Sequence, residues 1–178
     1  MKSAPNLALV GPMGAGKSSV AAILAGRTGL ERVDVDAEVE RVAGTSVTAI
    51  FGHSGEAAFR ELEAAALQRL LQGSGLLVAT GGGAVLDPTS RALLAERAFV
   101  VHLHATPAEQ MARLAGDTSR PLLQGHDAAA RLEQLARERD PLYAAVADLR
   151  VDTAGSTPGQ VASRIRAALE GRWRGVAA

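Results

Sequence analysis

Residues 11–18 read Gly-Pro-Met-Gly-Ala-Gly-Lys-Ser, the types and spacing of a loop that holds the phosphates of a nucleotide. Glycines let a backbone curl around an anion, and the amide groups of such a turn point inward. A helix that begins here adds partial positive charge at its N-terminus. We therefore expect the Lys17 ammonium group to reach the β- and γ-phosphates and the Ser18 hydroxyl to bind Mg²⁺.

Two carboxylates, Asp34 and Asp36, follow at the end of the second apolar run. Ligands bind at the carboxyl edge of an open parallel sheet, so these side chains fall where a substrate would lie. Alternation along a strand predicts that both point to the same side, with Val35 opposite. One carboxylate could hold Mg²⁺ through water, and the other could accept a hydrogen bond from a substrate hydroxyl. The alternative is that Asp36 only caps the next helix.

Glycines and arginines recur at other ends of the predicted elements. The run Gly81–Gly83 follows the third apolar run and would let the backbone approach a ligand closely. Each arginine near these loops has a structural alternative, such as a surface ion pair or a favourable charge at a helix end. These arginines are Arg60, Arg113, Arg120 and Arg139. We interpret the polar stretch 115–127 as a lid over the nucleotide, with an ordinary surface loop as the alternative.

Short apolar runs alternate with helical patterns, which predicts a parallel sheet with helices on both faces. The strand-like runs are 7–10, 32–35, 76–79, 99–103 and 149–151. The helical patterns are 16–28, 36–44, 54–71, 88–97, 107–114, 128–139 and 158–170. The expected fold class is α/β, in a single domain over 1–178 with a frayed tail at 171–178.

The composition excludes several classes of protein. The 19 lysine and arginine residues are balanced by 19 aspartate and glutamate residues. The chain therefore has no excess of positive charge that would favour general nucleic-acid binding. Cysteine is absent, which rules out disulfides, thiolate catalysis and cysteine-bound zinc. No apolar run approaches roughly 18 residues, and no signal-peptide pattern precedes the first strand. We therefore expect a cytoplasmic protein that does not enter membranes.

Taken together and in this order, the motifs resemble those of the shikimate kinases. The resemblance covers residues 7–166, which is nearly the whole chain. It rests on the phosphate loop, Asp-Val-Asp at 34–36, Phe59-Arg60 with Glu61 and Glu63, the three glycines, Arg-Pro-Leu-Leu at 120–123 and Arg-Asp-Pro-Leu-Tyr at 139–143.

The resemblance implies a P-loop kinase with the fold of the nucleoside monophosphate kinases. This is a three-layer α/β/α sandwich around a five-stranded parallel sheet in the order 2-3-1-4-5. It also implies transfer of the γ-phosphate of ATP to the 3-hydroxyl of shikimate, with Mg²⁺ as cofactor, on the route to chorismate and the aromatic amino acids. The expected partners are shikimate and ATP, without nucleic acid or membrane, and the expected state is a monomer.

Matching motif positions give each site residue an implied role. The expected ATP-binding residues are Gly14, Ala15, Gly16, Lys17, Ser18, Ser19, Arg113, Arg120 and Pro158. The expected shikimate-binding residues, in and around a helical region at 36–72, are Asp36, Arg60, Gly81, Gly82 and Arg139. The expected metal ligands are Ser18 and, through water, Asp34, and the expected catalytic residues are Lys17, Asp36 and Arg120. Asp36 either takes the hydroxyl proton or only orients the hydroxyl group.

Two other functions would share part of this sequence pattern. A gluconate-type sugar-acid kinase would share the phosphate loop and a carboxylate substrate, but the Asp-Val-Asp run, the three glycines and Arg139 argue against it. A non-catalytic, shikimate-kinase-like ligand sensor occurs fused to a DNA-binding domain. The chain has no basic cluster for that purpose, and it keeps Lys17, Asp36 and Arg120.

Overall fold

A computed structural model describes residues 1–117, 119–124 and 127–175, and it confirms the α/β class. The strands are β1 (Lys2–Ser3), β2 (Asn6–Val10), β3 (Glu31–Asp34), β4 (Leu76–Ala79), β5 (Ala98–His104), β6 (Leu149–Asp152) and β7 (Trp173–Arg174). The α-helices are α1 (Lys17–Thr28), α2 (Val35–Ala43), α3 (Val47–Leu71), α4 (Pro88–Arg97), α5 (Pro107–Leu114), α6 (Ala128–Val146) and α7 (Pro158–Leu169). A short 3₁₀ helix spans Pro121–Leu123.

The main sheet has five parallel strands in the order β3-β4-β2-β5-β6. Counted within this sheet alone, the order is 2-3-1-4-5, because β1 lies outside it and shifts the numbering. All residues of the central strand β2 are buried, as expected where helices cover both faces. The loops that follow β2, β3 and β4 therefore run side by side along one edge of the sheet.

Alternate residues of β2 pack into separate hydrophobic cores on the two sides of the sheet. Leu7 and Leu9 belong to the core that α1 and α7 cover. Ala8 and Val10 belong to the core that α3, α4 and α6 cover. The central strand is thus fixed from both sides, which makes its carboxyl end a rigid base for the loop that follows it.

Helix α3 is longer than the sequence pattern indicated. The helix predicted from Ser54 to Leu71 corresponds to its second part, after Gly55, whereas the first part, from Val47 with the Ser46 side chain as its N-cap, was not predicted. Gly55, with φ 80° and ψ 174°, interrupts the helical backbone and forms a kink. The added turns bury Ile50 in the core, and this burial stabilises a helix start rich in poor helix formers.

Helix α6 also extends beyond its predicted end at Arg139. It continues to Val146 with Pro141 inside it. A proline inside a helix costs about 3 kcal/mol, since it removes a hydrogen bond and crowds the preceding turn. The last turns nevertheless bury Tyr143 and Val146 against the sheet, and this burial offsets the cost.

The predicted frayed tail at 171–178 is wrong for its first part. Trp173–Arg174 pairs in parallel with β1, and the Trp173 indole N–H donates to the Ala4 carbonyl at 3.0 Å. Residues 176–178 lie outside the described residues, as do 118, 125 and 126 of the predicted lid. Over the ranges that are described, no helix combines the length and apolar character of a membrane span.

Candidate active site

The loop from Gly11 to Ser18 joins β2 to α1. Gly14 and Gly16 adopt left-handed backbone conformations, with φ of 74° and 86°, and Gly16 is the N-cap residue of α1. In the described part of the chain, α1 is the one α-helix without a side-chain cap at its N-terminus. Its first amide groups are therefore open to an anion such as phosphate, and the helix dipole favours that anion.

Lys17 folds back over this loop. Its Nζ donates hydrogen bonds to the carbonyl oxygens of Gly11 at 2.7 Å and Pro12 at 2.8 Å. Burial lowers the pKa of Lys17 to about 8, while the Asp36 carboxylate acts in the opposite direction. The side chain thus stays protonated at neutral pH, and phosphate oxygens could replace the two carbonyls as its partners.

Asp34 connects the phosphate loop to the neighbouring strand. Its Oδ2 accepts a hydrogen bond from the Ser18 hydroxyl at 3.0 Å. Its Oδ1 accepts the amide of Asp36 at 3.0 Å and so caps α2, which removes the alternative that Asp36 is the cap. The predicted strand alternation is also wrong, because β3 ends at Asp34 and Val35 begins the helix.

The oxygens of Ser18 and Asp34 suit a hard cation that keeps several water ligands. Among the described residues, no three His, Cys, Asp or Glu side chains are grouped to hold a metal ion. A magnesium ion here would therefore draw its other ligands from water and phosphate oxygens, which is the usual arrangement for Mg²⁺.

Asp36 lies in the first turn of α2, beside the phosphate loop. Its Oδ1 is buried and has no hydrogen-bond partner within the described residues. Burial and the adjacent Asp34 carboxylate raise the pKa of Asp36, although Lys17 and Arg60 oppose them. The free oxygen can accept a hydrogen bond from the hydroxyl group of a ligand.

None of the three glycines after β4 has a positive φ, and two of them, Gly81 and Gly83, are instead required for space. A Cβ at Gly81 would overlap the Glu63 carboxylate, and one at Gly83 would overlap the Arg60 guanidinium. Gly82 has ordinary clearance, with its nearest atoms at 3.5 Å or more from an added Cβ. The loop therefore lies directly against the charged side chains of the site.

Arg60 is held by two glutamates of its own helix. Its Nη1 donates to Glu63 Oε2 at 2.6 Å, and its Nη2 donates to Glu56 Oε1 at 3.0 Å. Burial acts to lower the pKa of Arg60, but the two carboxylates outweigh it and raise the value. The side chains of Glu63 and Arg60 are 2% and 19% exposed. This is a largely buried ion pair, not the surface pair considered from the sequence, and it fixes the guanidinium in place.

Arg139 approaches the same space from α6. It is buried, and its Nε has no hydrogen-bond partner within the described ranges. Arg60 and Arg139 border a cavity of about 260 Å³, whose apolar lining is Met13, Val47, Phe51, Phe59, Pro121 and Leu122. Two guanidinium groups in such a cavity can bind a planar carboxylate.

A second cavity, of about 380 Å³, lies over the phosphate loop. It is lined by the loop, the first turn of α1 and Asp34. The residues that line both cavities are Met13, Asp36, Gly81, Gly82 and Arg120. A ligand in one cavity can therefore meet a ligand in the other beside Asp36 and Arg120.

Two further arginines border the second cavity. Arg120 Nε donates to Asp117 Oδ2 at 2.9 Å, so a carboxylate of the predicted lid holds it. Arg113 donates to the Gly14 carbonyl at 3.0 Å and to the Thr153 carbonyl at 2.9 Å. Arg113 thus ties the phosphate loop to the loop that follows β6.

Two other predicted residues are not brought to these cavities. Pro158 is exposed in the first turn of α7, and Ala15 is 2% exposed in the core. Neither lines either cavity in the part of the chain that is described. That Pro158 borders the adenine stays a prediction.

The sequence analysis assigned no role to two buried residues of this region. Glu63 lies one turn after Phe59 on the buried side of α3. A charged residue at the spacing of core residues indicates a buried, paired charge, and this signal was present in the sequence. Tyr143 lies one turn after Arg139, and its hydroxyl donates to the Gly82 carbonyl. This tyrosine belongs to the motif at 139–143, but its place inside α6 was not predicted, because the preceding proline indicated a helix end.

Comparison with known proteins agrees with the resemblance seen in the motifs. Residues 13–170 match the family described as shikimate kinase. A shikimate kinase of Stenotrophomonas maltophilia (strain R551-3) is 51% identical over 174 residues, which cover 98% of this chain and 97% of that protein. One from Xanthomonas oryzae pv. oryzae (strain PXO99A) is 48% identical with the same coverage.

Solved structures show the same relationship. The shikimate kinase from Acinetobacter baumannii in complex with shikimate has a TM-score of 0.91 and 38% identity, covering 94% of each chain. A sugar kinase from Janibacter sp., at 19% identity and a TM-score of 0.58, shares the fold alone. The match over residues 13–170, together with relatives about half identical along almost the whole length, shows that this chain belongs to the shikimate kinase family.

Proposed function

We propose that the protein transfers the γ-phosphoryl group of ATP to the 3-hydroxyl of shikimate, producing ADP and shikimate 3-phosphate. This reaction lies on the route to chorismate and the aromatic amino acids. The observation that carries the proposal is the pair of adjoining cavities, which share Asp36 and Arg120. One cavity suits an anionic phosphate donor, and the other suits an acceptor that bears a carboxylate.

Shikimate would occupy the cavity between Arg60 and Arg139. Its planar carboxylate matches the guanidinium fork, and the 2.6 Å ion pair with Glu63 keeps Arg60 in position. Its ring hydroxyls would meet the Asp36 carboxylate and the backbone at 81–82. The acceptor hydroxyl would then lie where the two cavities adjoin.

ATP would bind with its phosphates over residues 14–19, where backbone amides and the Lys17 ammonium group supply positive charge. Arg113 and Pro158 would border the adenine. Arg120 would exchange its ion pair within the lid for the transferring phosphoryl group, because a cation there stabilises the charge of the transition state. Residues 115–127 would close over the nucleotide and exclude water.

Mg²⁺ would be held by the Ser18 hydroxyl directly and by Asp34 through water. The fit rests on two oxygens that already lie 3.0 Å apart beside the phosphate loop. When bound, the ion neutralises charge on the β- and γ-phosphates.

In the transfer step, the 3-hydroxyl oxygen bonds to the γ-phosphorus while the bond to the β–γ bridging oxygen breaks. ADP leaves with that electron pair. The hydroxyl proton passes to Asp36, or to solvent if Asp36 only orients the hydroxyl. Burial and Asp34 raise the pKa of Asp36, which makes it a better proton acceptor than an ordinary aspartate. Positioning and charge compensation would account for most of the rate.

We further propose that the whole chain acts as one domain, as a monomer, in the cytoplasm, where ATP is available. The residues proposed to bind ATP and shikimate belong to the one domain. The 19 basic and 19 acidic residues balance, so the net charge gives no reason to expect nucleic acid as a partner.

A coupled assay of ADP release tests this function. With ATP and Mg²⁺ we expect turnover that depends on shikimate, and with gluconate we expect only the background seen without an acceptor. Lys17→Met protein, purified identically, controls for contaminating kinases. A folded protein without shikimate-dependent ADP release would overturn the proposal, and release that depends on gluconate would favour the sugar-acid kinase.

A further inference from the structure

Tyr143 is a buried residue that connects two walls of the proposed shikimate cavity. It is 1% exposed and lies one turn after Arg139 on α6. Its hydroxyl donates a hydrogen bond to the carbonyl oxygen of Gly82. Its ring packs against the His102 ring of β5, with the ring centroids 5.0 Å apart, so the sheet holds the tyrosine in place.

The Gly82 carbonyl depends on this side chain in a way that its neighbours do not. The carbonyls of Gly81 and Gly83 accept hydrogen bonds from backbone amides of the same loop, at 3.2 Å and 2.9 Å. The Gly82 carbonyl instead accepts from the Tyr143 hydroxyl of α6. Peptide groups between glycines reorient easily because no Cβ restricts them. The bond to Tyr143 therefore fixes the middle of a loop that borders both cavities.

The same phenol oxygen also interacts with Arg139. Arg139 and Tyr143 lie one turn apart on α6, both are buried, and both border a small cavity beside Pro12 and Met13. The positive charge of Arg139 opposes the effect of burial on the pKa of Tyr143. Burial raises the pKa of Tyr143, so the hydroxyl keeps its proton throughout the neutral range. The hydroxyl thus bonds to a backbone group on one wall of the cavity, and it is carried by the helix that supplies Arg139 to the other wall.

We propose that Tyr143 is a positioning residue for shikimate, which fixes the Gly82 peptide to helix α6 and thereby sets its separation from Arg139 on the same helix. The inference rests on the proposed function, because shikimate is the ligand that would span these two groups. Tyr143 is not among the described residues that line the shikimate cavity, so it acts through the Gly82 peptide. Its hydroxyl should therefore matter more for shikimate than for ATP, because Arg139 of α6 lines the shikimate cavity and not the cavity over the phosphate loop.

Tyr143→Phe removes the hydroxyl and keeps the ring against His102. We expect the KM for shikimate to rise about 10-fold, as for the loss of one hydrogen bond, with a much smaller change in the KM for ATP. Asn6→Ala is a matched control, because the Asn6 amide donates to the Gly73 and Arg97 carbonyls at the opposite edge of the sheet. This control should lower the Tm and leave both KM values unchanged.

Equal rises in both KM values, or an unchanged KM for shikimate, would overturn the positioning role. The unaltered enzyme is measured alongside, and only its failure to turn over shikimate would contradict the proposed function itself.

A second measurement serves if Tyr143→Phe does not fold. Tyr143 is the one tyrosine in the sequence, so growth with 3-fluorotyrosine gives a single fluorine resonance. Saturating shikimate should shift this resonance, whereas a non-hydrolysable ATP analogue alone should not. A resonance that shikimate leaves in place, in a protein that turns over shikimate, would refute the positioning role.

Discussion

The half of the site that would hold ATP and the half that would hold shikimate are built from different parts of the protein. The donor half, residues 11–19 with Asp34, is mainly one loop whose binding groups are backbone amides at the uncapped start of α1. The acceptor half consists of charged side chains from three helices, namely Asp36, Arg60, Glu63 and Arg139. Ser18 and Ser19 of the donor half are exposed, whereas Glu63 and Arg139 are buried.

This difference predicts different consequences of mutation in the two halves. Backbone amides around an anion place no new charge inside the protein and need only glycines and a helix start. A buried ion pair is different, because removal of one partner leaves an uncompensated charge and costs about 3–5 kcal/mol. Variants in the donor half should therefore impair chemistry alone, and variants in the acceptor half should also reduce stability.

Lys17→Met should have the largest effect on turnover. Loss of a cation that stabilises transition-state charge should lower kcat by about 10³-fold. Burial lowers the pKa of Lys17, so the folded protein holds this charge at a cost and its removal should not reduce the Tm. Steady-state kinetics and a thermal melt measure both effects. A melt several degrees below that of the unaltered protein would contradict the separation of chemistry from stability in the donor half.

Asp36→Asn should lower kcat by about 10²-fold while ATP still binds. Asp36 belongs to the acceptor half by position, but its Oδ1 has no hydrogen-bond partner among the described residues and Asp34 repels it. The neutral variant should therefore keep its stability, unlike the other changes in that half. The unaltered enzyme should lose activity as the pH falls through the raised pKa of Asp36, and the variant should lack this loss. Near-normal turnover would exclude the assigned role.

The donor half and the general fold could be predicted from the sequence because they depend on local patterns. The glycine spacing, the lysine and the helix start of residues 11–18 are contiguous, and the buried strands appear as short apolar runs. The tail was the exception, since Trp173 is ordered only through contact with the N-terminal strand β1, which no local pattern indicates.

The acceptor half was less predictable because its charges compensate one another across the fold. Arg60 and Arg139 were selected by resemblance, while their own surroundings in sequence indicated surface ion pairs or helix ends. The helical spacing indicated that Glu63 lies on the buried side of α3, but its partners are set by the packing of α3 against the glycine loop. Tyr143 was hidden by Pro141, because the burial that carries α6 past this proline is a tertiary effect.

Arg60→Ala should raise the KM for shikimate roughly 50-fold, the loss of a charge-assisted hydrogen bond to a carboxylate, and leave the KM for ATP unchanged. It should also reduce stability, because Glu63 stays buried without its partner at 2.6 Å. Addition of Glu63→Gln removes the unpaired charge, so the double variant should recover stability and not shikimate affinity. Recovery of both would mean that Arg60 does not bind the carboxylate, and equal weakening of ATP would indicate general damage to the fold.

His102 lies on β5 beside Val10, at the carboxyl end of β2, and it should make the protein sensitive to acid. The residue is 2% exposed, and neither ring nitrogen has a hydrogen-bond partner within the described ranges. Its ring contacts Tyr143 of α6 and lies edge-on to His104, with centroids 5.0 Å and 5.9 Å away. Burial, with added repulsion from His104, Arg150 and Lys17, lowers the pKa of His102 from 6.5 to about 4.

Between pH 6.5 and about 4, the unfolded chain binds a proton at His102 that the folded protein does not bind. The free energy of unfolding should therefore fall as the pH falls through this window, and His102→Phe should remove part of that fall. Melting curves from pH 7 to about 4.5 measure the slope, and we expect a difference of a few degrees at the acid end. His53→Phe, at an exposed position of α3, is the matched control and should keep the slope. Equal slopes for His102→Phe and the unaltered protein would place the acid sensitivity in carboxylates whose pKa the fold lowers, such as Glu38 and Asp117, because the raised pKa values of Asp36 and Glu63 favour the folded state as the pH falls.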